Sequence, residues 1–217
     1  MDKKVRKKTI LFDLDGTLID STEAILESFH VAFKTFDSSI PHDDAIKAQI
    51  GHPLDRMFAS LGISQEAVEK HVDAYKAHYR KISRQKTVLL PHAKEAVELA
   101  SRHARLGVVT TKTAQYSKEL LEHMDIMHYF EVLIGREDVI HPKPHPEPVL
   151  KALSKLECDK SKCWMIGDTP MDILAAKEAG IKAVAVHCGY ADEDILSSVS
   201  EKVCENALKA VQFITEL

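Results

Sequence analysis

The segment Asp13-Leu14-Asp15-Gly16-Thr17 follows the apolar run Ile10-Leu11-Phe12. Side chains alternate along a strand, so a strand running through this segment aims Asp13 and Asp15 the same way. Two neighbouring carboxylates repel, and burial against a strand adds to the cost. A hard divalent cation with oxygen ligands is the usual remedy. An Asp-Gly turn closing a strand, with no chemistry attached, is the other reading of the same residues. The rest of the chain decides between the two.

The elements that must position these carboxylates are legible from periodicity. Residues 9–14 read as a buried strand. From about Ser21 to Ile82 the pattern is helical. Ile25, Phe29, Phe33 and Phe36 recur at helical spacing, as do Val68, Val72, Tyr75 and Tyr79. Leu54, Met57, Phe58 and Leu61 form a third stripe, which Gly62 closes at a C-terminal cap. From about residue 86 helices and short apolar strands alternate. Helices are expected at 92–104, 114–124, 146–156, 170–179 and 206–215. Strands are expected at 106–110, 132–134, 163–166 and 183–186. This alternation implies a parallel sheet with right-handed crossovers, and the helical block becomes an insertion after the first strand.

Open α/β sheets bind ligands at the carboxyl ends of their strands. The first strand ends at Asp13 and Asp15, the second at Thr110, Thr111 and Lys112. Lys143 and a run of prolines lie beyond the third, and the fourth ends at Gly167-Asp168, with Asp172 four residues on. Carboxylates, a hydroxyl and an ammonium converging on one edge match the needs of phosphoryl transfer. These needs are a nucleophile, a carboxylate-held metal, and donors for the phosphoryl oxygens.

These motifs resemble those of the haloacid dehalogenase superfamily, in its phosphoglycolate phosphatase-like group. The matching segments are DLDGT at 13–17, VVTTK at 108–112, KPHPEP at 143–148 and GDTPMD at 167–172. They stand in the family's order and spacing over nearly the whole chain. The resemblance implies a Rossmann-like three-layer α/β core with a parallel sheet, residues 1–20 and 86–217, plus an inserted α-helical cap domain, residues 21–85. It implies that Asp13 is the nucleophile, forming an aspartyl-phosphate, and that Asp15 is the general acid and base. Thr110 and Lys143 would bind the phosphoryl oxygens. Mg²⁺ would be held by the Asp13 and Asp168 side chains and the Asp15 backbone carbonyl. Asp172 supports the metal, caps the helix that opens at Thr169-Pro170, or does both. Gly16 permits a tight turn that brings backbone N–H groups to the phosphate, and Thr17 fixes the loop by hydrogen bonding. His92 departs from the Pro-Gly pair frequent in relatives, and Thr111 stands where they often have Asn.

The helical block would close over the site and choose the leaving group. Ser21-Thr22 and Ser83-Arg84-Gln85 are candidate hinges. Gly51-His52-Pro53-Leu54 resembles the family's cap loop that faces the site, which makes Gly51 and Thr111 candidate substrate contacts. His52 and Arg56 are candidates to read an anionic leaving group, and Arg56 equally fits a solvated helix position. The expected function is Mg²⁺-dependent hydrolysis of a small phosphate monoester, such as phosphoglycolate, or of pyrophosphate. A sugar phosphomutase of the same superfamily and a catalytically idle binding or regulatory member are the alternatives. Such mutases often carry Glu-Asp where this chain has Gly167-Asp168. A dehalogenase, needing neither the acid at Asp15 nor a metal, is disfavoured.

Bulk composition is consistent with this reading. The chain has 217 residues, 45% hydrophobic and 29% charged, with a net charge of -4. That suits a globular enzyme acting on a small phosphorylated metabolite, as monomer or homodimer, and gives no argument for nucleic acid. The run Lys3, Lys4, Arg6, Lys7 and Lys8 reads as a solvated tail rather than a signal peptide, since the apolar stretch after it stops at Asp13. No segment is long and apolar enough to span a membrane. Four cysteines with no CxxC pair suggest a reduced, cytoplasmic protein, and the twelve histidines are scattered.

Overall fold

The computed structural model describes residues 8–217, so the basic run from Lys3 to Lys7 lies outside the described residues. The first strand, β1 (Lys8–Phe12), is central and fully apolar beyond Thr9. Its side chains alternate between two cores, with Ile10 and Phe12 in one and Leu11 in the other. The chain then passes through β2 (Ile19–Asp20) into four helices, α1 (Thr22–Thr35), α2 (Asp43–Lys47), α3 (Leu54–Ser60) and α4 (Gln65–Ile82). It returns through β3 (Val88–Leu89), which pairs antiparallel with β2. The remainder alternates: α5 (Ala93–His103), β4 (Ala104–Val109), α6 (Ala114–His123), β5 (Val132–Ile134), α7 (Glu147–Leu156) and β6 (Cys163–Gly167). After these come α8 (Pro170–Ala179), β7 (Lys182–Val186), α9 (Glu193–Val199), β8 (Val203–Cys204) and α10 (Ala207–Glu216).

Six of the strands form one parallel sheet in the order β5-β4-β1-β6-β7-β8. Buried residues of α5, α6 and α10 pack with Ile10, Phe12, Leu106 and Ile166 on one face. Those of α7 and α8 pack with Leu11, Val109 and Met165 on the other. Helices thus cover both faces, the three-layer α/β arrangement expected from the alternating pattern. The chain moves outward from β1 to β4 and β5, then crosses back to β6. The order therefore reverses at β1, and the crevice at the carboxyl ends of β1, β4 and β6 is where such sheets hold ligands.

Helices α1–α4 bury a separate cluster rich in aromatics, including Phe29, Phe33, Phe58, Tyr75 and Tyr79. All five are positions of the helical stripes, and the stripe residue Phe36 lies outside both the cluster and α1, as that helix's C-cap. Five short elements were not expected: α2, α9 and the two-residue strands β2, β3 and β8. None is long enough to display a period. Lys8 belongs to β1 and not to a tail, and its ammonium donates to the Ile214 carbonyl at 2.7 Å. None of the helices among the described residues is long and apolar enough to cross a membrane.

Candidate active site

The first strand ends at Phe12, two residues earlier than its sequence pattern suggests. Asp13 and Asp15 therefore lie in the turn beyond it, and strand alternation does not govern where they point. The turn is tight: the Gly16 N–H donates to the Ile19 carbonyl at 2.9 Å, and the Leu18 N–H to that of Leu14 at 2.9 Å. Each carboxylate meets its own lysine. Asp13 Oδ1 is 2.8 Å from Lys143 Nζ, whereas Asp15 Oδ2 is 3.1 Å from Lys112 Nζ. The two carboxylates face different surroundings, each with its own ammonium.

Asp13 is buried with Asp168 and Asp172, and ligand atoms of the three lie within 4.8 Å of one another. The Asp15 carboxylate is outside this cluster. Lys143 enters from the loop after β5, where its ammonium also donates to Asp172 Oδ1 at 2.5 Å and to the Val109 carbonyl at 3.0 Å. Three carboxylates against this one ammonium leave two negative charges in a buried space, the complement of a divalent cation. The electrostatics agree. Burial first, and the Asp172 charge after it, push Asp13 up to about 7, although Lys143 pulls it down. Burial, then Asp172 and Asp13, push Asp168 well above the usual carboxylate range. Burial alone would lower Lys143, but Asp13 and Asp172 raise it instead. Asp13 Oδ1 is buried, and its partner is the Lys143 ammonium at 2.8 Å. Three buried carboxylates that outnumber the cation beside them fit a metal's ligand set.

The neighbours of this cluster are held for evident reasons. Asp168 Oδ1 accepts from the Thr17 hydroxyl at 3.1 Å, and Oδ2 from the Tyr190 N–H at 2.9 Å. Asp172 opens α8: its Oδ2 accepts from the Thr169 N–H at 3.0 Å and from the Thr169 hydroxyl at 2.7 Å. One Asp172 oxygen thus caps the helix, and the other faces Lys143. Gly16 has φ +79°, and a Cβ there would stand 2.2 Å from Asp168 Oδ2. Its own N–H donates to Ile19, and the position also requires close approach to Asp168. Thr110 is buried at the end of β4, and its hydroxyl accepts from the Lys112 N–H at 3.2 Å.

Asp15 looks out on a cavity of about 430 Å³ between the helical block and the sheet. Its Oδ1 accepts from the Ser21 hydroxyl. Lys112 reaches across to the block, donating to the Tyr79 hydroxyl at 2.9 Å. Thr111 does likewise, its hydroxyl donating to the Gly51 carbonyl at 2.9 Å. Thr111, Gly51 and His52 line the cavity, and Arg56 is exposed and not among the lining residues. Burial, and then the Arg56 charge, lower the His52 pKa.

Sequence reasoning assigned no role to Lys112, Gly189 or Tyr190. Lys112 carried a signal, since it follows two threonines at a strand end. Gly189 and Tyr190 sit in the loop after β7, where no motif marks them. A Cβ on Gly189 would stand 2.1 Å from Asp168 Oδ2, and the Tyr190 hydroxyl meets the Thr22 hydroxyl of α1 at 3.1 Å.

Comparison with known proteins places this geometry. The chain is 35% identical to a protein named probable phosphatase IndB of Dickeya dadantii, over 94% of this chain and 92% of that one. It is 37% identical to the pyrophosphatase PpaX of Bacillus velezensis, over 85% of this chain and 84% of that one. A solved haloacid dehalogenase-like family hydrolase from Streptococcus pneumoniae superposes with a TM-score of 0.86 at 27% identity, covering 95% of this chain and 97% of that one. The model of the haloacid dehalogenase-like hydrolase family matches residues 10–186, which span the strand-end cluster and the helical block. The chain belongs to the haloacid dehalogenase-like hydrolase family.

Proposed function

We propose that this chain hydrolyses phosphate monoesters by two-step transfer through Asp13. The observation that carries the reading is the division of labour at the strand ends. Asp13 is buried beside Lys143, Asp168 and Asp172, while Asp15 stands apart at the cavity, held by Ser21 and Lys112. In the first step an Asp13 oxygen attacks phosphorus, and Asp15 gives a proton to the departing alcohol oxygen. In the second, Asp15 takes a proton from water, which attacks the aspartyl-phosphate and releases inorganic phosphate. The Thr110 hydroxyl and the Lys143 ammonium donate to the transferring phosphoryl oxygens. Asp13, Asp168 and the Asp15 carbonyl would hold Mg²⁺, with Asp172 supporting them. When bound, the ion supplies positive charge between two groups that otherwise meet as anions.

Residues 21–85 act as a cap in this reading, with Gly51, Thr111 and His52 at the leaving-group side. The hydrolase reading is favoured over a phosphomutase at Gly167. A Cβ there would stand 2.3 Å from the Asp172 Cβ, so this position has no room for the Glu of the mutase pattern. The test is direct. In Asp13→Asn, turnover of p-nitrophenyl phosphate is expected to fall by about 10⁴-fold or more, the scale on which removing a covalent nucleophile acts. EDTA is expected to silence the wild type, and Mg²⁺ to restore it. Near wild-type turnover by Asp13→Asn would overturn the nucleophile assignment, and activity indifferent to EDTA would remove the metal.

A further inference from the structure

The cavity beside Asp15 differs in chemistry from what a small acidic leaving group requires. Its walls on the cap side are Ile25, Ile50, Leu54, Met57 and Val72. Three tyrosines complete them: Tyr75 and Tyr79 stack at 5.5 Å and 12°, and Tyr116 lies 6.3 Å from Tyr79. Stacked rings and branched aliphatics offer flat and apolar surface, which suits a ring more than a carboxylate. The volume of about 430 Å³ is in the range of pockets that enclose drug-sized ligands, well beyond a two-carbon acid.

The charges lining the cavity balance. Lys76, Lys112 and Arg136 face Asp15, Asp55 and Glu137, three cations to three anions. Two of the cations are already engaged. Lys112 pairs with Asp15 at 3.1 Å, and Arg136 donates to the Val139 carbonyl at 3.0 Å. Burial, and then the Arg56 charge, disfavour the cationic form of His52. A glycolate carboxylate or a second phosphate entering here would be desolvated without surplus positive charge to meet it, which is costly.

Resting on the phosphatase reading above, we propose that the substrate is a phosphate monoester of an uncharged, ring-bearing alcohol. The ring occupies the tyrosine- and aliphatic-walled cavity, and the ester oxygen lies toward Asp15. Hydrolysis breaks the phosphorus–oxygen bond, the alcohol oxygen takes its proton from Asp15, and water supplies the oxygen of inorganic phosphate.

The experiment compares kcat/KM of the Mg²⁺-loaded wild type for benzyl phosphate, ethyl phosphate, phosphoglycolate and pyrophosphate. The three esters leave as alcohols of comparable reactivity, so differences among them report the cavity. Benzyl phosphate is expected to exceed ethyl phosphate and phosphoglycolate by at least about tenfold, the discrimination apolar contact supports. Leu54→Arg, which adds a cation to the apolar wall, is expected to lower the benzyl-to-phosphoglycolate ratio by about tenfold. Competition on the wild type gives a measure that needs no variant: benzyl alcohol should inhibit p-nitrophenyl phosphate turnover at lower concentration than glycolate. Phosphoglycolate or pyrophosphate matching or exceeding benzyl phosphate, with turnover otherwise normal, would overturn the ring-bearing substrate and leave the phosphatase reading standing. No turnover of any ester, p-nitrophenyl phosphate included, would overturn both.

Discussion

Asp13 and Asp15 are two positions apart and yet belong to different electrostatic neighbourhoods, one closed by Lys143 and the other by Lys112. The residue types were legible in sequence because phosphoryl transfer calls for carboxylates, a hydroxyl and an ammonium at strand ends. Their pairing was not, because the strand stops at Phe12 and a turn, which has no period, sets the directions. The consequence is a pH dependence of known sign. Asp13 is pushed up to about 7 by burial, above its ordinary 3.8. A carboxyl raised in the folded state contributes stability below its unfolded pKa, and that contribution is lost as pH rises through the folded value. The metal-free protein therefore gives up stability from this group between about pH 4 and pH 7. A divalent cation that binds the ionised cluster offsets the loss. Thermal melts in EDTA and in saturating Mg²⁺, at pH 6 and pH 8, test this. At a hundredfold excess over Kd the gain is about 2.7 kcal/mol, or roughly 5–10 °C for a chain of this size. The gain should be larger at pH 8. An equal or smaller Mg²⁺ shift at pH 8 would separate Asp13 ionisation from the metal.

At the scale of elements, the site depends on two turns that place backbone against Asp168. Gly16 in the turn after β1 and Gly189 in the loop after β7 flank its carboxylate, and each leaves no room for a Cβ. Gly16 adds a left-handed φ of +79°. Gly16→Ala is therefore expected to destabilise the protein by about 1–3 kcal/mol through backbone strain, and to displace Asp168. Urea unfolding measures the first effect, and the Mg²⁺ concentration for half-maximal activity measures the second. Wild-type values for both would show that the turn adapts and that Gly16 is not required. Gly16 was legible because it lies within a motif, and Gly189 was not because close packing against a distant aspartate leaves no local pattern. His92 illustrates a third case. It stands at the N-cap of α5 with φ 63°, a conformation glycine favours, so its departure from Pro-Gly falls where the backbone demands most. The long helices and the buried strands were readable from period and apolar content. The two-residue strands β2 and β3 were not, since they exist only through pairing with each other.

At the scale of the whole molecule, that pairing is what makes the helical block separable. Asp20 and Val88 are partners in the β2–β3 ladder, so the block leaves and re-enters the sheet domain at one point. The sheet carries three clusters of its own, and α1–α4 centre another. The units meet through polar contacts, among them Thr111 to Gly51, Lys112 to Tyr79 and Thr22 to Tyr190, and through Tyr116 of α6, which packs into the helical block's cluster beside Tyr79. Replacing residues 21–87 by Asn-Gly, a turn suited to a two-residue hairpin, should join Asp20 to Val88 without disturbing the sheet. The excised protein is expected to unfold cooperatively in calorimetry, because the strand-end cluster and the sheet's own cores remain. Its p-nitrophenyl phosphate turnover should fall by about 10²–10³-fold, since Asp15 loses Ser21 and the site loses its shield from water. Selectivity should collapse further than rate. With Tyr75, Tyr79 and the aliphatics of the cavity gone, and only Tyr116 of its rings left, benzyl and ethyl phosphate should be hydrolysed with kcat/KM within about threefold of each other. A protein that fails to unfold cooperatively would show that the helices and the sheet are one folding unit. One that folds and keeps the wild-type preference would show that the sheet domain alone reads the leaving group.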